Sequence, residues 1–307
     1  MPLFPGGGTP PNAVPVIGRP IRVTSPEGPW HRVVEALNER GSVMVHALLS
    51  DWVPENLDDP ELRPVLGRDW HRYQAMRHHH VRERFAASRL LLKHVAAQAI
   101  QAPPATVELA YKPGGRPYLR GCDQIDISLS HTEELLLVGI TRRGWIGVDA
   151  ELEDRSMLVS GIERQVCTPY ERTMLSQVRE SDRNQEMVRL WTLKEAYSKA
   201  IGQGMRFRFN EFGFGPSGHP VQVLRPDGSP GTGEEWAFGT CRVEGRYTAS
   251  WALYDAGFGD TDDTRAGTML DEGLVTTLLH QSSESPQPAV EPTTATDVPL
   301  TGAGVAA

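Results

Sequence analysis

Gly147-Val148-Asp149-Ala150-Glu151 lies at the centre of a predicted β-strand that extends from Trp145 to Leu152. Side chains two residues apart project from the same face of a strand, so Asp149 and Glu151 are expected to share a face. Two acids with this spacing are also common on the solvent face of an edge strand. The pair alone therefore fits either a binding site or an ordinary exposed surface.

A second acidic motif, Trp191-Thr192-Leu193-Lys194-Glu195-Ala196-Tyr197-Ser198-Lys199, lies in a predicted helix from Asn184 to Ile201. Glu195 and Lys199 are one turn apart and share a face, although such a pair is also an ordinary source of helix stability, worth about 0.2–0.5 kcal/mol. Two carboxylates from a strand and a third from a helix suit a Mg²⁺ ion that keeps open positions for substrate phosphates. Lys199 would then neutralise phosphate charge.

The chain has 307 residues, enough for one large domain or two small ones. Its net charge of −8 comes mostly from residues 256–307, which hold eight acids and one base. The rest is therefore close to neutral, which disfavours nucleic-acid binding. No stretch approaches the roughly 20 apolar residues of a membrane-spanning helix. The three cysteines are widely spaced and form no zinc motif or disulfide framework, which favours a reducing, cytoplasmic setting.

The two ends of the chain differ in composition from its middle. Residues 1–40 begin with a Pro- and Gly-rich run, which predicts a mostly disordered extension that contains no secretory signal and ends in a short helix. Residues 256–307 are rich in Thr, Ser, Pro and acids, which predicts a disordered acidic tail. The folded part is therefore expected to span residues 41–255.

Within the folded part, a strand, a helix and further strands occur twice, first in residues 41–140 and again in residues 141–255. This order predicts an α+β fold of two related halves. The further local predictions are a strand over Ser42–Trp52, a helix over Arg68–Ala99, a hairpin that joins Leu135–Thr141 to Trp145–Leu152 through Arg142-Arg143-Gly144, a capping box from Thr168 to Glu171, and a hairpin that turns at Glu244-Gly245.

Residues 61–93 carry eight bases against three acids, and Arg77 and Arg84 are among the bases. A basic field on a nearly neutral body suits an anionic ligand or an acidic partner. The alternative is an amphipathic helix whose charges only face water. Charge alone fits both interpretations.

Four motifs follow one another along the chain: Gly115-Arg116-Pro117-Tyr118, Ile127-Ser128-Leu129-Ser130-His131-Thr132, Ile146-Gly147-Val148-Asp149-Ala150-Glu151, and Trp191 to Lys199. In this order and spacing they resemble the 4'-phosphopantetheinyl transferases, over about residues 42–254. The likeness is to the larger, surfactin-synthetase type, a monomer of two pseudo-symmetric α/β halves with the active site between them. Thr132 departs from the family pattern, in which serine is common.

The resemblance implies transfer of the phosphopantetheine arm of coenzyme A to a serine of an acyl or peptidyl carrier protein, with Mg²⁺ as cofactor and 3',5'-adenosine diphosphate as second product. It also implies site residues. The metal ligands would be Asp149, Glu151 and Glu195, and the catalytic residues Glu195, Lys199, Asp149 and His131. Coenzyme A would be bound by Arg77, Arg84, Arg116, Ser130, His131 and Lys199. Arg89 is expected to face elsewhere, because it lies five residues past Arg84 on a helix.

Two other functions fit part of the pattern. A non-catalytic relative would bind coenzyme A or a carrier protein without turnover, and loss of an acid or of Lys199 would be its signature. A different Mg²⁺-dependent phosphoryl enzyme, such as a pyrophosphatase, would share the acids. The Ser130-His131 strand end and the Trp191–Lys199 helix are not expected in that class, so the transferase is the preferred interpretation.

Overall fold

The computed structural model describes residues 17–158, 161–202, 208–218 and 221–256. The predicted disorder before residue 17 and the predicted tail from residue 257 onward lie outside these residues. Within the described ranges, no helix is both long and apolar enough to cross a membrane.

The helices and strands of the first part of the chain are β1 (Ile21–Arg22), α1 (Trp30–Arg40), β2 (Ser42–Leu48), α2 (Leu49–Trp52), α3 (Leu62–Leu66), α4 (Trp70–Gln74), α5 (His79–Ile100), β3 (Leu109–Tyr111), β4 (Pro117–Leu119), β5 (Asp126–Thr132) and β6 (Leu135–Thr141). Those of the second part are β7 (Gly144–Leu152), α6 (Glu163–Val166), α7 (Pro169–Gln177), α8 (Glu180–Ala200), β8 (Gly213–Phe214), β9 (Val223–Leu224), β10 (Trp236–Val243) and β11 (Tyr247–Asp255).

The first sheet has the strand order β1-β2-β6-β5, and β6 is antiparallel to both β2 and β5. Its central strands are apolar on both faces because protein covers both faces. One face packs against α5, chiefly at β6, where Leu91 and Val95 are fully buried in one apolar cluster with Val138 and Ile140. Full burial of an aliphatic side chain of this size stabilises the fold by about 1.5–3 kcal/mol.

The second sheet has the order β10-β11-β7 and is antiparallel throughout. Helix α8 packs against β7 at Gly147, where a Cβ atom would lie 1.8 Å from the carbonyl oxygen of Ala196. Only glycine therefore allows the helix to come this close to the strand. The close approach brings the Glu195–Lys199 part of α8 next to the acids of β7.

The two sheets face each other. Met44 and Leu137 of the first sheet pack against Ile146, Val148 and Trp251 of the second. Because α5 and α8 cover the outer faces, the described part of the chain has four layers in the order helix, sheet, sheet, helix. The α/β character predicted from the sequence is confirmed.

Two predictions for residues 42–99 are wrong in detail. The predicted strand over Ser42–Trp52 ends at Leu48, and the next four residues turn into α2, which buries the Trp52 indole and lets it donate to the carbonyl of Val23 at 2.9 Å. The predicted helix over Arg68–Ala99 is interrupted between α4 and α5. In the interruption, residues 75–78, only Met76 is partly buried, so no apolar face holds this segment against the core as helix.

The predicted hairpin at Arg142-Arg143-Gly144 is also wrong. Strand β6 is already paired on both sides, with β2 and with β5, so it has no free edge for β7. The chain instead crosses to the second sheet, where β7 pairs with β11.

Other local predictions are confirmed. Thr168 and Glu171 form the predicted capping box at the start of α7. β10 and β11 form the predicted hairpin, and its turn residues Glu244 and Gly245 have positive φ angles of 49° and 67°. The helix that carries the second acidic motif is present, and it begins at Glu180, four residues before the predicted start.

Candidate functional site

The edges of the two sheets meet along β5 and β7. Alternate side chains of β5 accept hydrogen bonds from alternate backbone N–H groups of β7: Ile146 donates to Asp126 (2.8 Å), Val148 to Ser128 (3.0 Å) and Ala150 to Ser130 (3.3 Å). Both are edge strands, and this arrangement satisfies donors that an edge would otherwise leave unpaired. We call this line of contacts the β5–β7 seam.

Asp149 is the centre of the site. Its carboxylate is 7% exposed, and its Oδ1 atom accepts hydrogen bonds from Ser130 Oγ at 2.7 Å and Lys199 Nζ at 2.6 Å. Lys199 also donates to the carbonyl of Val148 at 3.2 Å. The structure therefore brings together three predicted site residues that lie on β5, β7 and α8.

Glu151 projects from the same face of β7, two residues further along. Its Oε1 atom accepts hydrogen bonds from Thr132 Oγ1 and from the backbone N–H of Leu152, both at 2.9 Å, and its Oε2 atom forms an ion pair with Arg155. Each acid of the strand is thus held by a hydroxyl group of β5. Thr132, which departs from the common serine, keeps that hydroxyl.

Glu195 lies half-buried on α8. Burial is the main cause that raises the pKa of its carboxyl above the ordinary value, and the negative charge of Asp149 raises the pKa further. The charge of Lys199 opposes both effects. A glutamate with a raised pKa is a better proton acceptor near neutral pH, which is the property that general-base catalysis requires.

The three carboxylates were predicted to hold Mg²⁺. Their chemistry fits, because Mg²⁺ prefers carboxylate oxygens and the charges of Asp149 and Glu195 act on each other. Their positions fit less completely, since no three Asp, Glu, His or Cys side chains in the described ranges are grouped closely enough to enclose a metal ion. Glu151 is held by Arg155 instead.

His131 lies exposed near the end of β5, where the sequence predicted a phosphate contact. Its pKa is held below the ordinary value, first because nearby protein atoms displace part of its hydration and then because Arg84, Lys199 and Arg89 add positive charge. Arg84 donates to the carbonyl of Glu133 at 3.4 Å. A neutral histidine among cations suits an anionic ligand.

Arg89 is closer to the site than the sequence predicted, since its charge acts on His131. Its guanidinium is held by Asp69 at 3.2 Å and lies over the rings of Phe85 and Tyr111. Arg77 lies in the exposed connection between α4 and α5, and no hydrogen bond or ion pair in the described ranges joins it to the site.

Arg116, which the resemblance implies as a coenzyme A ligand, is held by groups of the protein. Its guanidinium is mostly buried, forms an ion pair with Asp126, and donates to the carbonyl groups of Ile146, Lys199 and Ala200. These acceptors engage both terminal nitrogens of the guanidinium and join β5, β7 and α8 through one side chain.

The sequence interpretation missed an ion pair beneath the site. Lys194 and Glu171 are fully buried, their charged atoms are 2.8 Å apart, and Lys194 also donates to the carbonyl of Phe209 at 2.6 Å. Lys194 continues the spacing of Met187 and Leu190, which are buried on α8. That helical periodicity is the signal that would have identified the lysine as a buried residue.

The family model of the 4'-phosphopantetheinyl transferase superfamily matches residues 146–250. Similar proteins include the 4'-phosphopantetheinyl transferase HetI of Nostoc sp. (28% identity; 40% of this chain, 54% of that protein) and a putative 4'-phosphopantetheinyl transferase of Synechocystis sp. (26%; 42% and 54%). The matched part thus spans about half the length of these relatives.

A solved structure, the holo-[acyl-carrier-protein] synthase of Thermotoga maritima, is 16% identical, with a TM-score of 0.29 over 37% of this chain and 64% of that chain. So slight a likeness adds nothing to the sequence matches.

Proposed function

We propose that the chain transfers 4'-phosphopantetheine from coenzyme A to a serine of an acyl or peptidyl carrier protein, because residues 146–250 match the family model of the 4'-phosphopantetheinyl transferase superfamily. The second product is 3',5'-adenosine diphosphate. The observation that carries the proposal is the meeting of Asp149, Glu195 and Lys199 beside the β5–β7 seam.

Glu195 is the proposed general base. Its carboxylate takes the proton of the carrier serine while the serine oxygen forms a bond to the phosphorus next to the pantetheine arm. The bond from that phosphorus to the 3',5'-adenosine diphosphate oxygen breaks, and the leaving group takes the electron pair. The raised pKa of Glu195 supports this role.

Lys199 is the proposed cation for the pyrophosphate. Its side chain is 27% exposed although its ammonium group pairs with Asp149, so a ligand can reach it. A phosphate oxygen and the Asp149 carboxylate would then share its three N–H donors.

Asp149 and Glu151 are the side chains that would hold Mg²⁺ in this proposal while Glu195 acts as the base. Glu195 would complete the metal site only if another group accepted the proton, because a bound Mg²⁺ lowers the basicity of a carboxylate. The ion, when bound, neutralises charge on the pyrophosphate and on the leaving phosphate. Glu151 first has to leave Arg155, whereas Asp149 and Glu195 already act on each other electrostatically.

The basic groups around His131 are proposed to bind the phosphates of coenzyme A. Arg84 and Arg89 add positive charge there, and Ser130 lies in the same strand one residue earlier. Arg77 remains a predicted phosphate ligand, and its exposure in the connection that precedes α5 leaves it accessible.

The two sheets, each with the long helix that covers it, are proposed to be pseudo-symmetric halves of one monomer. Each half starts with a strand, continues with a long helix and ends with two consecutive antiparallel strands. In each, the last strand lies between the other two, as β2-β6-β5 and as β7-β11-β10.

The three free cysteines, Cys122, Cys167 and Cys241, support a cytoplasmic, reducing location.

Intact mass measurement of a purified apo carrier protein tests the function. We expect the mass to rise by one phosphopantetheine when the carrier is incubated with this protein, coenzyme A and Mg²⁺, and not to rise when EDTA is added. No gain on either an acyl or a peptidyl carrier, together with tight coenzyme A binding, would favour the non-catalytic relative.

A further inference from the structure

Arg116 connects three segments, β5, β7 and α8, through one buried guanidinium. It lies at the end of the turn between β3 and β4, and its side chain is 10% exposed. The guanidinium reaches Asp126 at the start of β5, the carbonyl of Ile146 in β7 at 2.9 Å, and the last two carbonyls of α8.

The Asp126 contact extends the β5–β7 seam by one charged pair. Asp126 Oδ2 also accepts the backbone N–H of Ile146 at 2.8 Å, so Arg116 and Asp126 together satisfy the donor and the acceptor of one β7 residue. Both side chains are largely buried, and removing one partner of a buried ion pair is costly because the other charge is then left uncompensated.

The α8 contacts fix the backbone of Lys199. The last carbonyl groups of a helix have no partner within the helix, and a cation at that end is favourable because the carbonyl dipoles point toward it. Arg116 donates hydrogen bonds to the carbonyl groups of Lys199 and Ala200. A planar guanidinium presents five N–H donors on three nitrogen atoms and can span acceptors on separate segments, whereas all three donors of a lysine lie on one nitrogen.

We propose that Arg116 is a positioning residue, which holds the end of α8 against the seam so that the Lys199 ammonium stays between Asp149 and the substrate pyrophosphate. This inference rests on the proposed function. It differs from the coenzyme A contact that the resemblance implies for Arg116, because four acceptors within the protein already engage both terminal nitrogens of a guanidinium whose side chain is only 10% exposed.

Steady-state labelling of a carrier protein at varied coenzyme A concentration separates the two roles. For Arg116→Lys and Arg116→Met we expect kcat to fall on the order of 10- to 100-fold, because Lys199 is misplaced. We expect the KM for coenzyme A to stay within about threefold. Arg120→Met changes an exposed arginine of the same β-hairpin and should leave both constants unchanged. A raised KM with a normal kcat would overturn the proposal.

A double variant tests whether Arg116 acts through Lys199. Arg116→Lys combined with Lys199→Met should be no slower than Lys199→Met alone, because the positioned group is already absent. Losses that multiply would show that Arg116 acts independently and would contradict the inference. Thermal unfolding of each variant identifies any that does not fold, and the Arg116→Lys protein retains the charge if Arg116→Met unfolds.

Lys199 reactivity gives a readout that needs no turnover. In the Arg116 variants, we expect an amine-reactive reagent to modify Lys199 several-fold faster than in the unchanged protein, with exposed Lys112 as internal reference. If the unchanged protein labels no carrier but Lys199 reactivity rises in the variants, the proposed function fails and the positioning role stands. Unchanged Lys199 reactivity would overturn the positioning role even in an active enzyme.

Discussion

Helices α5 and α8 cover equivalent faces of the two sheets, yet they bury different side chains. α5 meets β6 through aliphatic residues on both sides, including Leu91, Val138 and Ile140. α8 meets β7 at Gly147, which brings the two backbones together, and it buries Thr192, Lys194 and Ser198. The contact between α5 and the first sheet is therefore mainly apolar. On the side of the second sheet, α8 holds three polar side chains at fixed buried positions.

Two buried lysines make the contrast measurable. Lys93 on α5 is 3% exposed and Lys194 on α8 is fully buried. Burial lowers the pKa of both ammonium groups. Lys194 is paired with Glu171 at 2.8 Å, whereas no salt bridge in the described part of the chain involves Lys93. The buried lysine of α8 therefore has a specific ion-pair partner, whereas the buried lysine of α5 has no salt bridge in the described residues.

The largest effect is expected from removing the proposed base of α8. Glu195→Gln keeps the shape of the side chain but cannot accept the serine proton, so carrier labelling should slow on the order of 10²–10⁴-fold. Glu180→Gln changes an exposed acid at the other end of the same helix and should have no effect. A Glu195→Gln enzyme with normal rates would remove Glu195 from the mechanism.

The next largest effect is expected on the free energy of unfolding, which urea unfolding measures for variants of Lys194 and Lys93. Lys194→Met leaves the Glu171 carboxylate buried without its cation, which should lower the free energy of unfolding by about 3–5 kcal/mol. Lys93→Met removes a buried charge that has no salt bridge, so a change of less than about 1 kcal/mol is expected. The double variant Glu171→Gln with Lys194→Met should recover part of the loss. Equal losses at Lys93 and Lys194 would contradict the contrast.

The smallest effect is a pKa shift within the site. Because the charge of Asp149 helps to raise the pKa of Glu195, Asp149→Asn should lower that pKa, which NMR titration of the Glu195 carboxyl can follow without metal or substrate. The exposed Asp154→Asn serves as control. The raised pKa stabilises the fold at low pH, and this contribution is lost as the pH rises through the folded pKa. An unchanged titration in Asp149→Asn would contradict the coupling.

The sequence predicted the local structure of residues 141–255 better than that of residues 41–140. The periodicity of Trp145–Leu152, the capping box at Thr168 and the turn at Glu244-Gly245 are local signals, and all three are confirmed. The helix predicted over Arg68–Ala99 failed, because charge and helix propensity alone do not show where an apolar face is missing. The hairpin at Arg142-Arg143-Gly144 failed because the free edges of β6 depend on strands far away in the chain.

The spacing of residues was enough to place Asp149 with Glu151 on one strand face and Glu195 with Lys199 on one helix face, because both periodicities are local properties of the backbone. The spacing of residues did not predict the contacts that are made across the β5–β7 seam. The Ser130–Asp149 bond, the Arg155–Glu151 pair that occupies a predicted ligand, and the Arg116 contacts to the end of α8 arise only when the sheets and helices are assembled. Such contacts depend on how separate elements pack, and packing sets the distances on which hydrogen bonds and charges act.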